Sequence, residues 1–87
     1  MFKLWSDRAW EDYLYWQAQD KKTLRRINDL LRDIERSPYD GKGKPEPLRG
    51  TLSGYWSRRV DETNRIVYRI DDDDNLVVLQ CKGHYDD

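Results

Sequence analysis

Glu46 stands between Pro45 and Pro47, four arginines (Arg58, Arg59, Arg65 and Arg69) crowd two strand-like runs, and the single histidine, His84, is followed at once by Tyr85. A carboxylate, an imidazole and several guanidiniums are enough to cleave RNA without a metal. RNA brings its own nucleophile, the 2′-hydroxyl. Cleavage then needs a base for that proton, an acid for the departing 5′-oxygen, and positive charge for the phosphorane-like transition state. Glu46 is the candidate base, and the flanking prolines limit its backbone freedom. His84 is the candidate acid, because imidazole is the side chain that titrates nearest neutrality. Arg65 and Arg59 suit a scissile phosphate, which a guanidinium fork grips in a way that Lys does not reproduce. Lys44, Arg49 and Arg58 would position the RNA backbone without reading its sequence. Tyr85 would stack on a base or hydrogen-bond a phosphate.

Taken singly, each of these residues has a plainer reading. Glu46 reads first as a solvated loop carboxylate, His84 as an exposed histidine near the chain end, and Tyr85 as an aromatic packing that end. The arginines read as a solvated strand face bridged to Asp61 or Glu62. Asp71–Asp74 reads as a solvated turn, Cys81 as a buried thiol, and Trp5, Trp10 and Trp16 as core or interface.

The chain has 87 residues, which suits one domain, 1–87, with a core built from few large side chains. Four Trp and six Tyr meet that need. Charged residues make up 38% of the sequence, but the aromatics and strand-like runs argue against disorder. No apolar stretch approaches the roughly 20 residues of a membrane span, and Met1 leads directly into a strand pattern rather than a leader. One cysteine excludes an internal disulfide and makes no metal site alone. A cytoplasmic protein without cofactor or metal is the expectation. Net charge is −1, yet residues 42–69 carry seven basic side chains against three acidic ones, a local +4. Phosphates sense that local face over a Debye length of about 8–10 Å.

The elements that must position these groups follow from spacing. Phe2–Trp5 reads as a strand. Ser6 caps a helix over about Asp7–Gln19, carried by Trp10, Tyr13, Leu14 and Gln17. Asp20 caps a second helix, Lys21 to about Arg36, with Leu24, Ile27, Leu31 and Ile34 as one apolar stripe; Ser37-Pro38 ends it. Residues 39–55 form a Gly- and Pro-punctuated loop of a length that is usually functional. Three strands follow over Trp56–Asp61, Arg65–Ile70 and Leu76–Lys82, the last two joined by a hairpin turn through Asp71–Asn75. If Asp61 pairs with Arg65 and Ile70 with Asn75, then Val60, Ile66, Tyr68, Ile70, Val77, Leu79 and Cys81 face the helices. Arg59, Arg65, Val67, Arg69, Val78, Gln80, Lys82 and His84 then take the other face.

Together, Lys42-Gly43-Lys44-Pro45-Glu46-Pro47-Leu48, Leu52-Ser53-Gly54-Tyr55-Trp56-Ser57-Arg58-Arg59, Asn64-Arg65-Ile66-Val67-Tyr68 and His84-Tyr85 resemble the YoeB (Txe) toxins of the RelE/ParE superfamily. Trp5-Ser6, Trp10 and Asp12-Tyr13-Leu14-Tyr15-Trp16 extend the resemblance over nearly the whole chain. It implies an α+β fold, a helical hairpin packed on a twisted, mainly antiparallel sheet in the order β-α-α-β-β-β. It implies a bacterial endoribonuclease acting on mRNA in the A site of the 70S ribosome, a homodimer, and a cognate antitoxin whose tail folds over the basic site. By position it makes Glu46 the base, His84 the acid, Arg65 the transition-state stabiliser, Tyr85 the terminal aromatic, and Arg59 and Lys44 further active-site cations; Arg49 falls where the family carries a basic residue. Asp86-Asp87 extends past the His-Tyr pair at which family members commonly end; those carboxylates would repel RNA or favour protonated His84. Two other readings share the basic face: a non-catalytic toxin like the ParE branch that poisons DNA gyrase, and a module that only docks on ribosomes.

Overall fold

The computed structural model describes residues 1–85; the Asp86-Asp87 expectation lies outside them. In chain order the elements are β1 (Lys3–Trp5), α1 (Asp7–Gln19), α2 (Lys21–Arg36), β2 (Glu46–Pro47), β3 (Trp56–Arg59), β4 (Arg65–Ile70) and β5 (Leu76–Gln80), with a 3-10 turn at Gly50–Leu52. Both helix caps form as their residue types dictate: the Ser6 hydroxyl accepts from the Ala9 N–H, and the Asp20 carboxylate from the Thr23 N–H. Ile27, Leu30, Leu31 and Ile34 of α2 are buried, and Leu24 packs at the edge of the same cluster. The two helices form an antiparallel pair lying on one face of the sheet.

The five strands run in the order β1-β5-β4-β3-β2. All neighbours are antiparallel except β1 and β5, which run parallel. The expected α+β architecture is therefore present, with one strand more than the spacing revealed. Glu46–Pro47 lies within the segment read as loop and forms the edge strand β2, a place where two prolines are tolerated because an edge has N–H positions with no ladder partner.

The register differs from the assumed one. Arg59, not Asp61, pairs with Arg65, a two-residue shift that preserves face parity. Ile70 pairs with Leu76, not Asn75, a one-residue shift that reverses parity in β5. Leu76 and Val78 therefore enter the core, and Val77 and Leu79 take the opposite, half-buried positions. The ladder then slips between Tyr68–Val78 and Val67–Gln80, leaving Leu79 as the extra residue of a bulge. That slip returns Gln80 to the face away from the helices and Cys81 to the core, as expected for both.

Cys81 is fully buried. Its N–H donates to Asp12 at 3.1 Å, its carbonyl accepts the Trp16 indole N–H at 3.0 Å, and burial pushes its thiol up to about 12, with Asp12 adding to the shift. A thiol reagent at pH 8 should label it at least about 100-fold more slowly than a small-molecule thiol, and at the normal rate once denaturant unfolds the chain. Fast labelling of the folded protein would show that this strand end opens.

Candidate functional site

The loop between α2 and β3 is fixed from beneath by Arg58. Its side chain is fully buried, and its five N–H groups are all used. Nε donates to the Tyr68 hydroxyl (3.2 Å), Nη1 to Asp33 Oδ2 (2.6 Å) and the Lys42 carbonyl (3.0 Å), and Nη2 to the carbonyls of Ser37 (2.5 Å) and Asp40 (2.8 Å). Tyr68 in turn donates to the Pro38 carbonyl at 2.6 Å. Asp33 also accepts the Lys42 N–H and an Arg36 side-chain N–H, and the first of these, with Arg36 and Arg58, holds its carboxyl well below the usual carboxylate range. This corrects the expectation for Arg58. Its side chain is buried and its donors are occupied within the protein; it positions residues 37–42 and so the start of the segment that carries Lys44 and Glu46. Gly41 permits the close approach, since a Cβ there would sit 2.2 Å from Asp33 Oδ2 at a φ of +115°.

On the sheet face away from the helices, register places Glu46, Ser57, Val67 and Gln80 in one row across β2, β3, β4 and β5. Three strand spacings make that row roughly 14 Å long. Arg59 and Arg65 pair with each other one pleat away, about 7 Å along the strands on the same face. The chain beyond β5 returns across this row. Side chains from several elements hold its backbone: Asp12 and Trp16 at Cys81, Arg8 at the Lys82 carbonyl, Asn64 at the Gly83 N–H (2.8 Å), and Gln80 at the His84 carbonyl (3.0 Å). The Arg65 N–H donates to the Gly83 carbonyl at 3.1 Å. At the last described residue of the tail, the Tyr85 hydroxyl donates to Glu46 Oε1 at 2.9 Å.

Glu46, Arg49 and Tyr85 thus line one open hollow of about 400 Å³ with Pro47 and Leu48. Lys44 and Arg59 line a second, next to it, with Arg26. The remaining two members stand apart. Arg65 is half-buried at the β3–β4 turn, its Nη1 donating to the carbonyls of Asp61 (2.6 Å) and Asn64 (3.1 Å). His84 is exposed, with its backbone tied to Gln80, and neither it nor Arg65 lines the Glu46 hollow. Sequence reasoning passed over two of the residues that hold the tail, Asn64 and Gln80. Gln80 carried a signal: a long amide with the same face parity as His84. Replacing Gln80 with Ala should leave the sheet folded and raise the exchange rate of the Gly83 amide about five- to tenfold, the loss of roughly one hydrogen bond. Unchanged exchange would mean that the other contacts secure the tail without Gln80.

The whole site lies within the segment that matches known proteins. Residues 5–85 match the model of the YoeB-like toxin of bacterial type II toxin-antitoxin systems. Toxin YoeB of Escherichia coli K12 is 51% identical over 82 residues, covering 94% of this chain and 96% of that protein. The solved YoeB/ParE toxin from Agrobacterium tumefaciens superposes with a TM-score of 0.94 at 45% identity, over 98% of this chain and 100% of the other. YoeB from Staphylococcus aureus superposes at 0.89 and 43% identity over 98% of both chains, and has been solved as a dimer and as a heterotetrameric complex with the antitoxin YefM. The match over residues 5–85, the 51% identity to a YoeB toxin over nearly the whole chain and the shared fold make the chain a member of the YoeB-like toxin family of bacterial type II toxin-antitoxin systems.

Proposed function

We propose that this toxin is an endoribonuclease that cleaves mRNA in the ribosomal A site by acid–base catalysis with its own side chains, without a metal ion. Glu46 Oε2, left open by the Tyr85 bond to Oε1, takes the 2′-hydroxyl proton. The 2′-oxygen bonds to phosphorus, and charge builds on the non-bridging oxygens, where Arg65 stabilises it. The bond from phosphorus to the 5′-oxygen breaks, and His84 in its protonated form gives its proton to that oxygen. The products are a 2′,3′-cyclic phosphate and a 5′-hydroxyl, and solvent returns the proton from Glu46 to His84. Among the described residues, Arg65 Nε and Nη2 make no hydrogen bond and remain available to a phosphate.

One observation carries this assignment: the Tyr85–Glu46 hydrogen bond joins the tail to the proline-flanked acid across 39 positions of sequence. It brings the residue next to His84 onto the carboxylate, in the row that lies one pleat from the Arg59–Arg65 pair. Arg49 and Tyr85, on the walls of the same hollow, would hold the RNA. We further propose a homodimer neutralised by a cognate antitoxin in the bacterial cytoplasm, as the assemblies of the Staphylococcus aureus relative suggest. Trp10, about half exposed beside Trp5 and Tyr13, offers the dimer an aromatic surface. Primer extension on programmed ribosomes tests the reaction: wild-type protein should give a cut within the A-site codon. Intact mRNA, or inhibition of gyrase supercoiling in its place, would refute it.

A further inference from the structure

Three cations meet in the second hollow, of about 310 Å³: Arg26 from α2, Lys44 from the strand approach and Arg59 from β3. Elsewhere the protein pairs Lys3, Arg8, Arg32, Arg36 and Arg58 with carboxylates, but among the described residues none of these three is in an ion pair. Two acids share the lining, Asp61 and Glu62. Asp61 is committed to its own turn, where it accepts from Thr63 and from the backbone and side chain of Asn64. Glu62 is exposed at the rim. Arg26 is half-buried and steadied by a long contact from Nη2 to the Arg59 carbonyl (3.5 Å), which leaves its other donors open. A further hollow shares Arg26, Val60 and Asp61 and adds Lys22, so the basic channel continues toward the start of α2.

Position gives this cluster its meaning. Lys44 is two residues from Glu46, and Arg59 is two residues from Ser57, the partner of Glu46. The hollow therefore lies about one pleat, roughly 7 Å, from the carboxylate, comparable to the step between phosphates in an extended single strand. Concave cationic sites concentrate anions, and guanidiniums grip phosphate oxygens in pairs.

We infer that Arg26, with Lys44 and Arg59, forms a subsite for a phosphate flanking the scissile one on the same RNA strand. The inference rests on the nuclease reading for the identity of the strand, but its test does not require cleavage. The probe is a short RNA with a 2′-O-methyl group at the scissile ribose, bound to the full-length protein and titrated with salt. Arg26→Gln should weaken binding about five- to tenfold at low salt and reduce the slope of log K against log salt by about 0.7, the single-strand value for one lost phosphate contact. Arg26→Lys should restore most of both. Replacing the linkage seated there by an uncharged methylphosphonate silences all three cations, so it should cost wild type more than Arg26→Gln does, and should cost Arg26→Gln less than it costs wild type. Equal affinity and slope for wild type and Arg26→Gln would overturn the subsite, as would an Arg26→Gln loss that persists with both flanking linkages neutral. A thermal melt confirms that the variants are folded. If the binding losses appear but wild-type protein cuts no A-site mRNA, the subsite stands and the nuclease reading falls.

Discussion

Glu46→Gln should slow A-site mRNA cleavage by about 10²–10⁴, the range supplied by a positioned general base, with little change in thermal stability because the residue is exposed on an edge strand. Glutamine keeps an oxygen for the Tyr85 hydroxyl, so the tail should hold its place while the proton acceptor is gone. Arg65→Ala and His84→Ala should fall in the same range, and combining either with Glu46→Gln should cost far less than the product, because the three act in one step. The measurement is single-turnover cleavage on programmed ribosomes, with growth arrest on induction as the cellular counterpart. Cleavage at the wild-type rate by His84→Ala would remove histidine from the acid role and leave solvent or Tyr85 to protonate the leaving oxygen.

Arg58→Ala should cost about 3–5 kcal/mol of stability, the usual result of removing one member of a buried hydrogen-bonded ion pair. For a domain of this size that lowers Tm by roughly 4–8 °C per kcal/mol. The loss has a definite source: three backbone carbonyls, the Tyr68 hydroxyl and the Asp33 carboxylate lose their donor together. Acid should expose the same network. Asp33 has its folded-state value lowered, chiefly by the Lys42 N–H and then by Arg36 and Arg58. Its stabilisation is complete above the ordinary carboxylate range and is lost as pH falls through the folded value. Without Arg58 the folded value rises toward the ordinary one, so acid unfolding of the variant should begin at higher pH. Chemical denaturation across pH 3–7 reads both effects. A loss below about 1 kcal/mol would mean that water replaces the guanidinium in the loop.

Much of this fold is written in local pattern. Ser6, Asp20 and Ser37-Pro38 mark helix limits because caps and proline act within a few residues, and both helices end where those residues place them. β4 is bounded by Arg65 and Ile70 as alternation suggested. The strand registers were less legible, since a one-residue slip reverses a face and the bulge at Leu79 arises from packing that no linear pattern encodes. β2 was hidden because a two-residue strand, one of them proline, carries no alternation. Arg58 is the instructive error. It shares parity with Val60, a core position, yet by residue type it reads as an RNA-backbone contact, because burying a guanidinium is credible only with acceptors in hand. Those acceptors come from α2, its C-terminal loop and β4, segments that meet only in the folded chain. For the site, residue type pointed to Glu46, His84 and Tyr85, and the Tyr85–Glu46 contact joins two of their segments. The amides that hold the tail escaped notice because a positioning role depends on distance rather than on chemistry.

On the proposed reaction, the order of the sheet also sets when the toxin could first act. β5 lies between β1 and β4, although it is made after every other strand. During synthesis, β1 waits through more than 70 positions for its neighbour; the Leu76 N–H to Phe2 carbonyl bond closes that span. Contacts this distant along the chain form late, because their loop entropy must be overcome first. On the nuclease reading, a nascent chain lacking β5 has no tail to bring to Glu46 and so no complete site with which to cut mRNA. A cognate antitoxin, as proposed above, would then have the interval of translation in which to form before the poison matures.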